Sequence, residues 1–258
     1  MTPKTKPRII GIILAYNCAS MLPRAYDRIP KHLLHDIIVM DDGSTDGTSD
    51  AARRLGLKVF RHEPNRGYGG NLKAGLQKAL EMGADYVFEI HGDGAQFNPQ
   101  SLTPALIPIH EGAQLILGSR FQEPQKALDN GMPLIRFFAN RFLSFFDRLF
   151  LRLPLTEFHT GFRIYGKKLL QEVPYLNNSD NYLFSFEIIA QAAYYHMPVR
   201  EVPVEADYRS EHTSHALGGA AVYAMKTFII LGQFILAKYG IMHTRLFPKL
   251  PKTIDHGI

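Results

Sequence analysis

Two short segments place carboxylates where a chain can hold a nucleotide and a cation. The first is Asp36-Ile-Ile-Val-Met-Asp-Asp-Gly-Ser-Thr-Asp-Gly-Thr48. Its apolar run, Ile37 to Met40, is that of a strand buried on both faces, and Asp41 and Asp42 follow at its carboxyl end. Open α/β sheets bind ligands at that end, and paired carboxylates there can accept from the donors of a base and a ribose. Gly43 permits the sharp turn, and Ser44 or Thr45 is expected to cap the next helix. The plain alternative is a turn of Asp and Gly selected for backbone geometry. The second segment, His91-Gly-Asp-Gly-Ala-Gln96, follows another strand pattern. Asp93 stands between two glycines, where a carboxylate can reach a divalent cation, and a hard ion such as magnesium or manganese takes carboxylate oxygens together with substrate phosphates. His91 is an acceptable manganese ligand and Gln96 a weaker one. A hydrogen-bonding role behind the ion is the competing expectation for His91.

Between them lies Asn65-Arg-Gly-Tyr-Gly-Gly-Asn71. Its glycines suggest close approach of backbone to a ligand, and Arg66 suits a phosphate. A dinucleotide fingerprint fails here: Leu72 stands where the third glycine belongs, and the loop follows the wrong strand.

The elements that position these loops alternate. Strands are expected at Arg8–Ala15, Asp36–Met40, Leu57–Arg61, Asp85–Ile90 and Gln114–Gly118. Helices are expected at about Asp46 to Leu55 and Tyr68 to Met82, stopped by Gly56 and Gly83. Such alternation predicts a mostly parallel sheet with right-handed crossovers. The chain is 258 residues long, enough for one large core. Its 29 Lys and Arg against 24 Asp and Glu give a modest excess of +5. That suits an anionic small molecule or membrane surface, and the absence of a dense basic run with interleaved aromatics argues against nucleic acid. One cysteine, Cys18, excludes an internal disulfide and a cysteine-based zinc site. Lys4, Lys6 and Arg8 before Ile9–Ala15 mimic a short signal peptide, but the cleavage site is poor and a first strand is expected, hence a cytoplasmic protein.

From Pro133 to Leu155, four arginines alternate with six phenylalanines, a composition shared by a membrane-interface helix and a helix packed on the sheet with solvated arginines. The apolar stretch Ala216–Ala237 approaches transmembrane length. Lys226, Gly232 and Gln233 point instead to a surface-docked or interfacial helix.

The motifs occur in one order: Ala15-Tyr16-Asn17 after the first strand, Asp41-Asp42-Gly43-Ser44 after the second, Asn65-Arg66-Gly67 after the third, then Gly92-Asp93-Gly94. That ordered set resembles the family 2 glycosyltransferases of GT-A fold, particularly the dolichyl- or polyprenyl-phosphate sugar synthases, over roughly residues 8–210. The resemblance implies an α/β fold, a mostly parallel twisted sheet flanked by helices. It implies a GT-A domain over 1–215, with a donor half 8–120 and an acceptor half 121–215, and an amphipathic helical extension over 216–258. It implies that Ala15, Tyr16, Asn17 and Asp42 hold the nucleoside of a nucleoside-diphosphate sugar, with Asp41 supporting. Asn65, Arg66 and Gly67 complete the donor loop. Asp93 matches the second aspartate of the family's Asp-x-Asp element, which carries Mg2+ or Mn2+ and the diphosphate; His91 stands at the first. Gly118-Ser119-Arg120 matches a segment whose arginine faces the acceptor. Thr156-Glu-Phe-His-Thr-Gly-Phe-Arg163 resembles the Asp-x-x-Ser-Gly-Phe-Arg element, with Glu157 as the candidate base or orienting group and His159 a structural histidine. Arg209, in Arg209–His215, would contact diphosphate.

The implied reaction is inverting transfer to a polyprenyl phosphate at the inner face of the membrane, with peripheral contact. A glycan hydroxyl in surface polysaccharide synthesis is the alternative acceptor. A nucleotidyltransferase or a non-catalytic nucleotide-binding module is the reading from another class.

Overall fold

The computed structural model describes residues 6–94, 97–206, 208 and 217–250, with side chains of the last segment from residue 221. Seven strands form one sheet in the order β3-β2-β1-β4-β6-β5-β7. These are β1 Ile9–Ala15, β2 Asp36–Asp41, β3 Lys58–Arg61, β4 Tyr86–His91, β5 Leu115–Ser119, β6 Arg163–Gly166 and β7 Val199–Pro203. All neighbours are parallel except β6, which runs antiparallel to both β4 and β5. The five expected strands each match within a residue or two. β6 and β7 were not expected: both are short, and each carries an arginine.

Alternation along β1 shows why the sheet is buried on both sides. Ile10, Ile12 and Leu14 face a core with Leu72 and Leu76 of α3 (Gly67–Glu81), Phe186 and Ile189 of α8 (Phe184–Tyr194), and Phe234 of α9 (Leu217–Lys238). Ile9, Ile13 and Ala15 face a second core with Leu22 of α1 (Leu22–Asp27), Ala51 and Ala52 of α2 (Thr48–Arg54), and Leu102 and Ala105 of α4 (Leu102–His110). The apolar run Ile9–Ala15 is therefore an interior strand. α2 and α3 end before Gly56 and Gly83, whose φ values of +77° and +81° terminate a helix without strain. Ser44 and Thr45 do not cap α2: its N-cap is Gly47, and Asp46 Oδ1 accepts from the Thr48 N–H at 3.0 Å.

Three further α-helices are found among the described residues: α5 (Pro124–Asp129), α6 (Leu134–Leu151) and α7 (Lys167–Glu172). α9 is less an appendage than 216–258 as an extension implies, since Ile230, Leu231, Phe234 and Ala237 belong to the main core. It packs on α8 and α6, and rings of Phe146 and Phe228 meet at 5.9 Å.

Candidate active site

The chain runs β1, β2, β3 outward on one side of β1 and then returns to place β4 on the other, so a crevice opens beyond the carboxyl ends of β1 and β4. The register sets its floor. Ala15 pairs with Asp41 and Leu14 with His91, so Tyr16 and Asp42 leave their strands at one level, with Gly92 one residue lower beside Ala15. At ordinary strand spacing the outer two exits lie roughly 10 Å apart. Two backbone bonds tie them: Asp42 N–H to Ala15 O at 2.9 Å, and Gly92 N–H to Leu14 O at 2.8 Å.

The two carboxylates of the first loop have separate tasks. Asp41 is fully buried and accepts from the Ser44 N–H at 2.9 Å and from the Ser49 hydroxyl. It folds the turn. Asp42 Oδ1 accepts from the Arg66 N–H at 2.8 Å, while Asn65 Nδ2 donates to the Asp42 carbonyl at 2.9 Å. The third-strand loop therefore holds the second-strand carboxylate, leaving the Arg66 side chain exposed at the crevice. On the other flank, Asn17 takes a left-handed φ of 48° and its Oδ1 accepts from the Thr45 N–H at 2.8 Å. That turn presents Tyr16, 56% exposed.

The glycines after Arg66 serve a different end from the expected close approach to a ligand. A Cβ on Gly69 would stand 2.3 Å from Ser179 O, and one on Gly67 would stand 2.5 Å from Asp180 O. The Gly69 N–H donates to Asp180 O at 2.9 Å. The chain's own segment 179–181 lies on this loop. Gly69→Ala must push backbone aside, so it is expected to destabilise by about 1–3 kcal/mol in a denaturant titration.

Asp93 is exposed at the turn after β4, where Gly94 adopts φ +67° and its N–H donates to His91 O at 3.2 Å. Gly92 leaves no room for a side chain: its Cβ would meet Cys18 Sγ and Leu14 O, each at 3.0 Å. Burial pushes the Cys18 thiol up to about 11, so it is a packing residue. His91 Nε2 lies 3.3 Å from Gly161 O and 3.5 Å from Glu89 Oε1, and its ring stacks at 6.0 Å on Tyr68. That nitrogen braces the turn. Gln96 and Arg209 lie outside the described residues.

Among the described residues no group of three or more His, Cys, Asp or Glu could cage an ion. An exposed carboxylate at the strand exits suits a hard cation shared with a substrate diphosphate, which supplies the remaining oxygens. Asp93 is a candidate ligand for Mg2+ or Mn2+ in that mode.

Behind this turn lies a polar cluster that the motif order did not reveal. Glu89, buried, accepts from Tyr165 OH at 2.6 Å and from Tyr68 OH, and it sits opposite Arg163 in the β4–β6 register. Desolvation opposes the charge of Arg163, but the polar groups around it, with Glu89 as the counter-charge, outweigh that and push its proton affinity up. Burial and the neighbouring Glu89 push both tyrosine hydroxyls up, so they stay neutral donors. The signal was a lone glutamate in an apolar strand, two residues before His91 and thus on its face.

Arg120 and Glu157 are both buried and paired. The Arg120 N–H donates to Glu157 Oε2 at 2.7 Å, Nε donates to Oε1 at 2.8 Å, and the guanidinium NH2 also reaches Oε1. Desolvation works against this guanidinium, yet Glu157 and then Tyr208 push its affinity for the proton up. Its NH1 donates to Tyr208 OH. Over the Tyr208 ring, at 5.1 Å, lies Arg136 of α6, and Arg141 lies 5.6 Å over Phe121. Glu157 is thus committed to Arg120, and the arginines of α6 that gather beside this pair were missed as site residues. Their only sequence signal was the basic rim of the phenylalanine-rich segment.

The Glycosyl transferase family 2 model matches residues 12–174, more than half the chain. The sequence is 28% identical to UDP-N-acetylglucosamine--dolichyl-phosphate N-acetylglucosaminyltransferase of Methanococcus voltae, over 95% of this chain and 97% of that protein. It is 30% identical to undecaprenyl-phosphate mannosyltransferase of Micrococcus luteus, over 82% and 88%. Among solved structures, glucosyl-3-phosphoglycerate synthase from Mycobacterium tuberculosis, crystallised with Mn2+, UDP and glucosyl-3-phosphoglycerate, superposes with a TM-score of 0.62. That match is 17% identical and covers 92% of this chain and 82% of that one, a likeness of fold. The crevice at the strand exits, the carboxylate turns and the family match lead to one conclusion: this chain is a family 2 glycosyltransferase of GT-A fold.

Proposed function

We propose that the enzyme transfers a sugar, with inversion, from a nucleoside-diphosphate sugar to a polyprenyl phosphate on the cytoplasmic face of a membrane. Asp42 and the Ala15–Asn17 turn bind the nucleoside, with the Asp42 carboxylate set by the Arg66 N–H. Asp93 holds the cation and Arg66 lies beside the diphosphate; Arg209 is a further candidate for it. The cation, when bound, neutralises charge on the departing diphosphate. A phosphate acceptor is already anionic, so it attacks the anomeric carbon without a base, and positioning dominates. That agrees with a Glu157 engaged by Arg120 rather than by an acceptor hydroxyl.

One observation carries the acceptor class. α6 is inverted for a helix in water. Its inward face carries Arg136, Asn140, Ser144 and Asp147 beside Leu143, Phe150 and Leu151, while Ile135, Phe138, Phe142, Phe145 and Leu149 are each more than half exposed. A helix that turns phenylalanines outward, with Arg141, Arg148 and Arg152 exposed around them, matches an anionic bilayer surface. The arginines beside Arg120 then open next to that surface, where a lipid phosphate would arrive. Exposed Val222, Met225, Phe228 and Ile229 of α9 add to the apolar surface. Residues 221–238 of α9 are long and apolar enough to cross a membrane. Their buried partners in the protein core favour lying along the surface.

Two tests follow. A thermal-shift screen of UDP-, GDP- and TDP-sugars with Mn2+ should identify the donor by a rise in melting temperature. Sedimentation with vesicles containing phosphatidylglycerol should carry the protein down. Each phenylalanine seated in lipid contributes on the order of 2 kcal/mol, so Phe138→Ser, Phe142→Ser and Phe145→Ser together should weaken vesicle binding at least about 100-fold. Undiminished binding by that variant would remove the membrane surface from the proposal.

A further inference from the structure

The inverted helix raises a physical question: what sets its roll? In water the hydrophobic effect favours turning α6 about its axis to bury the phenylalanines. Phe150 and Leu151, packed on the main core, oppose that turn from one end of the helix, and a polar contact adds to them. Asp147 is the only acid in α6, and its side chain is 3% exposed. His159 Nε2–H donates to Asp147 Oδ2 at 2.9 Å, and His159 Nδ1 lies 3.4 Å from the Tyr223 hydroxyl of α9. The imidazole, 7% exposed, stacks on Phe186 of α8 at 5.9 Å.

His159 belongs to a loop otherwise fastened to the exit of β5. Ser119 and Thr156 hydroxyls meet at 2.6 Å, Glu157 grips Arg120, and Thr160 Oγ1 donates to Gly118 O at 2.7 Å. His159 extends that fastening to α6. Arg136 precedes Asp147 by eleven residues, within about 20° of three whole turns and roughly 16 Å along the axis. Both therefore lie on one stripe, and the roll that seats Asp147 on His159 also brings Arg136 over Tyr208, the partner of Arg120.

We propose that the buried His159–Asp147 bond is the roll lock of α6. These are positioning residues that aim Arg136 at the acceptor phosphate and the phenylalanine stripe at the bilayer. The inference rests on the acceptor reading given above.

The test compares full-length Asp147→Leu and His159→Leu with Asp147→Asn, which still accepts from Nε2–H. Asp147→Ala, which adds no bulk, replaces the leucine variant if that fails to fold. Calorimetry would measure the binding of farnesyl phosphate in detergent and, separately, of UDP with Mn2+. Loss of the lock should weaken farnesyl phosphate about tenfold, the worth of one buried bond, and leave UDP unchanged. Asp147→Asn should bind both as the parent does. Hydrogen exchange should rise across residues 134–151 in the leucine variants and not in Asp147→Asn. Unchanged farnesyl phosphate affinity, an equal loss of UDP affinity, or unaltered exchange in α6 would overturn the lock. If the parent protein binds UDP but no farnesyl phosphate, the acceptor reading fails, and the exchange result alone decides the lock.

Discussion

Asp93→Ala should lose turnover by a factor on the order of 10^3 or more while keeping its fold. The expectation comes from how little else the described residues offer a cation. No three-residue cage exists among them, and His91 Nε2 faces Gly161 O and Glu89. If Asp93 is the protein's ligand, its removal leaves the diphosphate charge without its main counter-charge in the transition state. About 4 kcal/mol of lost stabilisation corresponds to 10^3 in rate. The side chain is exposed on a turn whose backbone is set by Gly92 and Gly94, so the alanine variant should melt within a degree or two of the parent. The measurement is release of nucleoside diphosphate from the donor found by screening, beside a thermal melt. A folded variant retaining a tenth of parental turnover would sink the role given to Asp93.

Glu157→Ala should be among the most damaging single substitutions for stability. It leaves Arg120, whose side chain is 1% exposed, as a buried charge without its carboxylate. Breaking such a pair from one side costs about 3–5 kcal/mol. For a chain of this size that lowers the melting temperature by roughly 10 °C. Glu157→Gln retains acceptor geometry for the guanidinium and should fall between. The pair of variants also separates two roles. A base acting on an acceptor hydroxyl would lose turnover in the glutamine variant at nearly unchanged stability, whereas a residue that holds Arg120 would lose stability first and acceptor affinity with it. Desolvation disfavours the guanidinium but Glu157 and Tyr208 outweigh it, so Arg120 stays charged at any pH the fold survives. The stability it contributes is therefore not titrated away by Arg120 itself in the working range.

These two expectations rest on different kinds of information. The turn at Asp93 follows from a strand, two glycines and a carboxylate in one short stretch. The Arg120–Glu157 pair joins positions 37 apart, brought together because β6 inserts antiparallel between β4 and β5. That insertion was hard to foresee. Four residues are too few for a period to declare itself, and Arg163 reads as a solvated charge until Glu89 is seen across from it. The glycines at 67–70 misled for a related reason: sequence shows that backbone must come close to something, and only the fold shows that the something is the chain's own 179–181 segment.

By itself the sequence determined the alternation of buried strands and helices, the helix stops at Gly56 and Gly83, and the carboxylates at successive strand exits. Each is written in local patterns of apolar spacing and backbone permission. The tertiary structure alone decided that Asp41 folds its own turn while Asp42 is held by the third-strand loop, that Glu157 is bound to Arg120, and that α6 turns Phe138, Phe142 and Phe145 outward. Those outcomes depend on partners distant in the chain, and burial and pairing acquire their energies only when such partners meet.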